Sequence, residues 1–564
     1  MHFLYSLFFL LLLTGFYLPA QPSSATIAQL DSLFAEFDRT DAPGVAISIR
    51  HRGKTVYERA FGMADLARGI DLTHQTPFAA GELAGQFTAL ALLQLAAAGK
   101  LSLNDPIQDH LPELIRVGEN TTLRHLLSRT HGLHDIASLR RIRGAGANEP
   151  VTLAEVLGVY ARQPAPGNPP GTVFGLSDAG LWLVAEIVSR VADQPFPEYC
   201  QEKIFTPLGM PNTYFVTAGT AQPKGAAVAY RREEDGAFTR QPVLHHAPGP
   251  GGLYTSVADW SRWEAHRENP PANFARIINQ LTTSATLDDG HEHYQTMGKL
   301  TLGQDFLHWE RGLDSYYRIG GGDGYTSAFF RFPEQAYSVV VLGNNGMPYT
   351  GYLGMNATHQ LLAGQFPEPA VVQLTTADLH PILSATMESF TGSYWDAYGT
   401  LVRTITYEND TLFYNRPGRR IPLYPIGPRR FQLLTGYDDQ IFLEFSEGAS
   451  PQRMTYADRQ SDPFVFQRFT PIAPAAVEGA AYAGTYYSDE LGIGFTVTWQ
   501  DNSLLLQASP DRQITLRPRI ADAFTGDLWY WGNVVFTRTN NVISGFHFDV
   551  VDARHIWFRR LPAG

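Results

Sequence analysis

The chain has 564 residues, which is too long for a single hydrophobic core and predicts about three domains. Hydrophobic residues make up 44% of it and charged residues 17%, which is typical of a globular protein. The 43 basic and 55 acidic residues give a formal charge of −12 without a basic stripe, so a nucleic acid partner is not expected.

Residues 1–20 are predicted to be a secretory signal peptide. The stretch from Phe3 to Leu18 is apolar nearly throughout, and Ala20 supplies a small residue just before a cleavage site at Gln21. The alternative is an uncleaved anchor, but the apolar run is short for spanning a bilayer, so no stable membrane anchor is expected. The protein is therefore predicted to be secreted or periplasmic.

Residues 21–370 mix strand-like and helical patterns. Val45–Arg50 and Ser338–Gly343 are rich in β-branched residues and bounded by turn formers, as strands are. Phe87–Ala98 and Leu181–Val191 have a helical pattern, and Gly99 is a C-cap signal for the first of them. Periodicity alone predicts a domain of mixed α and β structure.

The segment from Phe78 to Ala89 reads FAAGELAGQFTA. It resembles the active-site helix of the penicillin-recognising serine hydrolases, which include class C β-lactamases, D-alanyl-D-alanine carboxypeptidases, D-aminopeptidases and related esterases. In that family a Ser in this segment is the acylated nucleophile, and a Lys three residues later can take its proton. Glu82 stands at the Ser position and Gly85 at the Lys position.

The other two active-site motifs depart from the family pattern as well. Phe174–Gly180 is similar to the family's F-x-Y-S-N-x-G, with Leu176 in place of the Tyr and Asp178 in place of the Asn. The K-T-G or H-x-G motif corresponds to the segment from Arg318 to Gly320, where a cation and the Gly are kept but the Arg stays protonated. The family motifs therefore predict no catalytic residue here.

The resemblance extends from about Ser24 to about Phe366 and implies a serine β-lactamase-like domain over residues 21–370. That fold is an antiparallel sheet built from both ends of the domain, between helical layers and with a helical insert. The supporting segments are Ala42–Ile49, Gly99–Pro106, Arg124–Leu133, Ile204–Met210 and Gly251–Asp259.

The remainder of the chain contains an internal repeat of aromatic, alternating sequence. Gly392 and Tyr394 recur 92 residues later as Gly484 and Tyr486. Further pairs at offsets of 92 or 93 are Ile405 with Val497, Leu423 with Leu516, Phe466 with Phe558 and Arg468 with Arg560. The repeat predicts two small closed or nearly closed antiparallel barrels at residues 385–470 and 478–562, similar to the lipocalin-like barrels of D-aminopeptidase-like family members. The fold class is α+β followed by two all-β domains.

The family fold implies that Glu82, Asp178 and Arg318 lie together in one pocket, and three interpretations are open. Arg318 pairs with one or both acids as a structural ion cluster, the cluster binds a polar ligand, or the carboxylates perform acid/base hydrolysis. Ser177 is disfavoured as a nucleophile because no Lys or His lies at helical spacing to activate it.

No metal or other cofactor is expected. The short histidine pairs His131/His134, His245/His246 and His291/His293 lack a second matching half, so loop or surface positions are favoured over metal ligation. Cys200 is the only cysteine, which excludes an intrachain disulfide, and it is predicted to be a packed structural thiol.

The favoured function is a secreted or periplasmic pseudoenzyme that keeps a pocket for peptide-like ligands or serves as a scaffold. One alternative is an active hydrolase of peptides, esters or amides that uses Glu82 and Asp178. Another is that the C-terminal barrels bind apolar or cell-envelope ligands. The sequence predicts no particular oligomeric state.

Overall fold

In the computed structural model, the described residues are 22–144, 149–175, 177, 179–290, 292–298, 301–303, 313–346, 350–366, 374, 378–396, 401–434, 441–448, 452–457, 463–509, 512–526, 532–550 and 553–562. The predicted signal peptide lies outside them. Within them, no helix is both long enough and apolar enough to cross a membrane.

The first domain combines helices with an antiparallel sheet. Its helices are α1 (Ser24–Phe34), α2 (Ala84–Ala97), α3 (Ile115–Gly118), α4 (Leu123–Ser128), α5 (Ile136–Arg143), α6 (Leu153–Arg162), α7 (Ala179–Ala192), α8 (Phe196–Cys200), α9 (Val257–Glu268), α10 (Ala272–Thr282) and α11 (Thr350–Leu361). Its strands are β1 (Val45–His51), β2 (Lys54–Phe61), β3 (Met63–Asp65), β4 (Ile70–Asp71), β5 (Phe78–Ala79), β6 (Tyr214–Phe215), β7 (Tyr230–Arg232), β8 (Phe238–Arg240), β9 (Leu253–Thr255), β10 (Ser284–Thr286), β11 (Glu292–Thr296), β12 (Thr301–Gly303), β13 (Ser315–Gly322), β14 (Tyr325–Phe332) and β15 (Tyr337–Gly343).

The main sheet joins the two ends of the first domain, as the resemblance implied. Its strand order is β10-β11-β12-β13-β14-β15-β1-β2, and the register of β1 with β15 runs from Val45 opposite Gly343 to His51 opposite Tyr337. Every residue of β1 is buried, because helices cover both faces of the sheet at this strand.

Two apolar layers hold the sheet. Val45, Ile47 and Ile49 belong to a core that also contains side chains of α1 and α11. Ala46, on the opposite face of β1, belongs to the larger core formed with α2, α7 and α9. The alternation of side chains along β1 therefore feeds both layers. The helix α2, which carries the first motif, is buried along most of its length.

The C-terminal repeat folds into two closed antiparallel barrels, which confirms the prediction. A short helix, α12 (Ser384–Ser389), precedes the first barrel, which contains β16 (Gly392–Asp396), β17 (Val402–Glu408), β18 (Thr411–Arg416), β19 (Arg419–Pro425), β20 (Arg430–Leu433), β21 (Ile441–Phe445), β22 (Arg453–Ala457) and β23 (Phe464–Phe469). The second barrel contains β24 (Gly484–Ser488), β25 (Ile493–Gln500), β26 (Ser503–Ser509), β27 (Arg512–Ile520), β28 (Ala523–Gly526), β29 (Asn533–Thr539), β30 (Val542–Val550) and β31 (Ala553–Arg560).

The repeated residues have the same structural task in each barrel. In the second barrel, Gly484 begins β24, and a Cβ on it would lie 3.1 Å from Nε of Arg560 on the closing strand β31. Arg468 lies in the same way beside Gly392 in the first barrel, at 2.9 Å. The repeat therefore preserves an arginine that packs on a glycine where the first and last strands of each barrel meet.

Candidate functional site

The first motif begins in a single turn of 3-10 helix, Gly81–Leu83, directly before α2. Two hydrogen bonds fix the residue in front of this turn. The Ala80 N–H donates to the Leu253 carbonyl at 2.8 Å, and the Ser327 hydroxyl donates to the Ala80 carbonyl at 2.8 Å. The turn that carries Glu82 is therefore held between β9 and β14.

Two glycines allow the first and third motifs to touch. Gly81 has a φ of +54°, and a Cβ on it would lie 2.8 Å from the nitrogen of Gly321. A Cβ on Gly320 would lie 2.4 Å from Oε2 and 2.9 Å from the nitrogen of Glu82. These glycines match the family pattern, and the close approach of backbone to backbone explains why no larger residue fits.

The Glu82 carboxylate is bonded to the third-motif strand. Its Oε2 accepts a hydrogen bond from the Gly321 N–H at 2.9 Å. On that side of β13, β12 pairs with Ser315–Tyr317, and within the described residues no strand continues along the rest of β13. Glu82 thus accepts a hydrogen bond from a backbone N–H at an open strand edge. A backbone N–H in such a position is the kind of group that stabilises an oxyanion in acyl transfer.

Arg318 lies on the same face of β13 as Gly320, because side chains alternate along a strand. The opposite face of β13 packs towards α11, since Tyr317 belongs to the core there and Ile319 lies against Gly351. Arg318 is therefore on the Glu82 side of the sheet. Leu176 and Asp178 lie outside the described residues, so the pairing of Arg318 with Asp178 stays a prediction.

Gly85 lies one residue inside the buried start of α2, where the family places its proton-accepting Lys. It has no side chain that could take a proton from position 82. The next residue, Gln86, is buried, and its Oε1 accepts hydrogen bonds from Trp263 Nε1 at 3.4 Å and Arg267 Nη1 at 3.3 Å. Gln86 therefore ties α2 to α9.

A buried charge network lies behind Gln86. Arg267 Nη1 contacts Glu264 Oε1 at 2.9 Å, and both side chains are 1% exposed. Arg331 on β14 adds a second cation, with its Nη1 3.8 Å from Glu264 Oε2. Burial lowers the pKa of Arg267 to about 10, although Glu264 opposes this shift. The group remains a cation at neutral pH, and the network fixes α9 and α2 against the sheet.

Ser177 has a structural position at the start of α7. Its Oγ lies 3.2 Å from Asp135 Oδ2, to which it donates, and accepts the Ala179 N–H at 3.1 Å. Its carbonyl accepts a hydrogen bond from Arg129 Nε at 3.3 Å. The hydroxyl is therefore engaged by the beginning of α7 and by the residue that caps α5, which favours the structural interpretation of this serine.

A buried group of hydroxyls lies beside the turn that carries Glu82. The Tyr254 hydroxyl contacts His245 Nε2 at 2.8 Å, and the Tyr325 hydroxyl donates to the Ala227 carbonyl at 2.6 Å. Burial raises the pKa of both tyrosines. Their phenols therefore stay protonated near neutral pH.

The histidines of the first two pairs lie in loops, which agrees with the expected loop or surface positions, although several are buried, and His293 lies in β11. His131, His134 and His245 are 2%, 5% and 5% exposed. Their burial is tolerated because protein groups replace water as hydrogen-bond partners. Glu490 Oε1, for example, lies 3.0 Å from His134 Nδ1. His291 lies outside the described residues. Within the described part of the chain, no group of three or more His, Cys, Asp or Glu side chains could hold a metal ion.

Cys200 is fully buried at the end of α8, and burial raises the pKa of its thiol well above the usual value. A buried, protonated thiol is unreactive. The predicted structural role of Cys200 agrees with this placement.

Three features of the site were not found from the sequence: the bond from Gly321 to Glu82, the Gln86–Arg267–Glu264 network and the contact of His134 with Glu490. A signal existed for the first, because the run from Gly320 to Gly322 inside a strand indicates close approach of another backbone. The other two join residues 181 and 356 positions apart in the chain, and no local pattern indicates such pairs.

Comparison with known proteins gives a consistent family. The beta-lactamase family model matches residues 30–363. Protein flp of Staphylococcus aureus (strain N315) is 24% identical over 343 residues, which cover 59% of this chain and 66% of flp. The putative penicillin-binding protein PbpX of Bacillus subtilis (strain 168) is 30% identical over 222 residues, which cover 39% of this chain and 54% of PbpX.

A solved structure, the octameric penicillin-binding protein homologue from Pyrococcus abyssi, has a similar fold. The TM-score is 0.52 at 24% identity, and the match covers 78% of this chain and 100% of that one. At this identity the likeness concerns the fold alone. The family model matches more than half of this chain, and the matched residues include Glu82, Gly85 and Arg318.

Proposed function

Because this chain belongs to the beta-lactamase family, we propose that it is a secreted or periplasmic pseudoenzyme of that family. In this proposal it forms no acyl-enzyme and keeps its pocket as a reversible binding site for a peptide-like ligand, or as part of a scaffold. The observation that carries the proposal is the hydrogen bond between Glu82 Oε2 and the Gly321 N–H at 2.9 Å.

Two properties of Glu82 argue against acyl transfer. Glu82 stands where the family has its nucleophilic Ser, and a carboxylate beside Gly85 has no neighbouring Lys with which to exchange a proton. The same carboxylate occupies a backbone donor that an acyl oxyanion would need. The position of the nucleophile and a donor for its intermediate are therefore both filled by one side chain.

The same bond weighs against hydrolysis by Glu82 as a general base. A general base must be within reach of the proton that it removes from water or substrate. Oε2 of Glu82 is engaged by Gly321, which leaves Oε1 to activate a water, and its partner in that scheme, Asp178, lies outside the described residues. Reversible binding requires less, since a ligand that reaches the edge of β13 has only to displace the hydrogen bond between Glu82 and Gly321.

The barrel interiors favour the pocket over the barrels as the place of binding. In the described residues, inward-facing aromatic rings pack on one another, with ring centroids 4.4 Å apart for Phe390 and Phe445 in the first barrel. The corresponding distance is 4.8 Å for Phe546 and Phe558 in the second. An eight-stranded barrel has an interior that side chains can fill, and the buried apolar side chains of each barrel pack there into a core.

We expect D-alanyl-D-alanine, used as a peptide-like probe, to bind reversibly without being cleaved. Glu82→Ala should tighten binding by about threefold to tenfold, because the Gly321 N–H becomes available and a carboxylate that repels the probe's own carboxylate is removed. Isothermal titration calorimetry on both proteins measures the change, and mass spectrometry of the recovered dipeptide measures cleavage.

Glu119→Ala is the matched control, since Glu119 is an exposed glutamate of the same domain. It should leave the affinity unchanged. Cleavage of the dipeptide that is lost in Glu82→Ala would favour the hydrolase alternative. Absence of binding in both the native protein and Glu82→Ala would contradict a ligand-binding pocket.

A further inference from the structure

The second barrel contacts the first domain at both ends of α5. Before the helix, Glu490 Oε1 lies 3.0 Å from His134 Nδ1, and each side chain is 7% exposed. In the last turn of the helix, the Arg512 guanidinium donates to the carbonyls of Arg141 (2.9 Å) and Ile142. The second barrel therefore holds α5 at both of its ends. Arginine at a helix C-terminus also complements the helix dipole.

The residues at the beginning of α5 also hold the second-motif loop, which consists of residues 163–175 and Ser177 and leads into α7. Asp135 caps α5 by accepting the Ser138 N–H at 2.7 Å with one oxygen, and its other oxygen accepts the hydrogen bond of Ser177. The ring of His134 lies against Gly167, because a Cβ on that glycine would be 2.6 Å from His134 Nε2. One end of α5 thus contacts both the barrel and the loop that leads into α7.

The loop itself is held by backbone hydrogen bonds to the segment just before His134. The N–H groups of Gly167, Gly171 and Gly175 donate to the carbonyls of Gly132, Thr130 and Arg129, each at 2.8 Å. These three amides report whether the loop is seated on residues 129–132. They lie in the first domain, and the carbonyls that accept their hydrogen bonds belong to the same domain.

This loop leads into the neighbourhood of the site. Gly249 lies between the two helices concerned, since its carbonyl accepts the Thr88 hydroxyl of α2 at 2.7 Å. A Cβ on Gly249 would also lie 2.6 Å from the Leu181 carbonyl in the first turn of α7. A shift of the loop at Ser177 would therefore displace the start of α7, which lies near α2, the helix that follows Glu82.

We propose that Glu490 and Arg512 are positioning residues, and that the second barrel, acting through α5, holds the second-motif loop in place against the site. The barrel is thus a part of the site's architecture rather than a separate binding module. This inference does not depend on which ligand the pocket takes, nor on whether the chain has activity. Its chemical basis is a buried His–Glu contact and a charge-assisted bond, which are stronger than neutral hydrogen bonds.

The test is hydrogen–deuterium exchange on the full-length Glu490→Gln/Arg512→Met variant. We expect exchange in peptides spanning residues 163–175 to become about tenfold faster or more, since the loop loses the support of His134 and opens locally more often. Exchange within β25 and β26 of the second barrel should be unchanged. A purely structural role in the barrel would instead accelerate exchange in the barrel itself.

The matched control is Asp489→Asn/Arg559→Met. It removes an exposed ion pair of the same barrel, Arg559 Nε to Asp489 Oδ2 at 3.1 Å, one residue away from Glu490. This control should leave residues 163–175 as protected as in the native protein. The proposal is overturned if both variants give the same exchange in residues 163–175. It is also overturned if the Glu490/Arg512 variant accelerates exchange in the barrel alone. Because no ligand is used, failure here is distinguishable from failure of the proposed pocket.

Discussion

Replacing Arg267 with methionine should lower the free energy of unfolding by about 3–5 kcal/mol, because it leaves a buried carboxylate without its closest cation. Among the described residues, Glu264 would then be left with Arg331, whose nearest nitrogen is 3.8 Å away. Gln86 would lose one of its two donors, so the tie between α9 and α2 would loosen. Urea denaturation followed by circular dichroism measures the loss.

Two further variants locate the effect in the buried pair. Adding Glu264→Gln to Arg267→Met should recover part of the loss, because the uncompensated charge is removed. Arg190→Met, which breaks a partly exposed pair with Glu113, should cost only about 0–1 kcal/mol. If Arg267→Met were no more destabilising than Arg190→Met, the network could not be the buried anchor of α2.

Restoring the first motif alone should not restore catalysis. In Glu82→Ser/Gly85→Lys, the nucleophile and its Lys return and the Gly321 N–H is released. Proton transfer still lacks the Tyr, because Leu176 has no group that can relay a proton, and Arg318 stands where the family has Lys or His. A general acid/base contributes about 10²–10⁴-fold to the rate. Without it, nitrocefin hydrolysis should stay slower by about this factor or more than that of an enzyme with all motifs intact.

Stepwise repair separates this explanation from a general loss of structure. Adding Leu176→Tyr, Asp178→Asn and Arg318→Lys to the double variant should raise the rate by more than the product of the single effects, because such residues act as a unit. Rapid nitrocefin turnover by Glu82→Ser/Gly85→Lys alone would mean that the second and third motifs were never impaired.

The sequence predicted the fold well where the signals are local or repeated. The strands Val45–Arg50 and Ser338–Gly343 are observed within one residue at each end, as Val45–His51 and Tyr337–Gly343. The helix after Glu82 begins at Ala84, three residues before the prediction, and its first turn is buried and has no capping side chain that would mark this start in the sequence. The barrels could be predicted because the chain contains the same unit twice.

The site could be predicted only in part. The replaced motif positions were visible by comparison with the family pattern, and Gly320 indeed meets Glu82. The partner of Glu82 was not predictable as a backbone N–H, since a sequence shows side chains and not which amides are left open at a strand edge. The burial of His134 depended on Glu490, a residue of another domain 356 positions away.

The most direct test of the central claim is the intact mass of the native protein after incubation with a reactive penicillin. We predict an unchanged mass, because the residue at the nucleophile position is a carboxylate bonded to Gly321 and has no Lys beside it. A protein with a complete first motif serves as the positive control and should gain the mass of one penicilloyl group. A stoichiometric mass increase on the native chain, mapped to Ser177 or to any other residue of the pocket, would contradict the account.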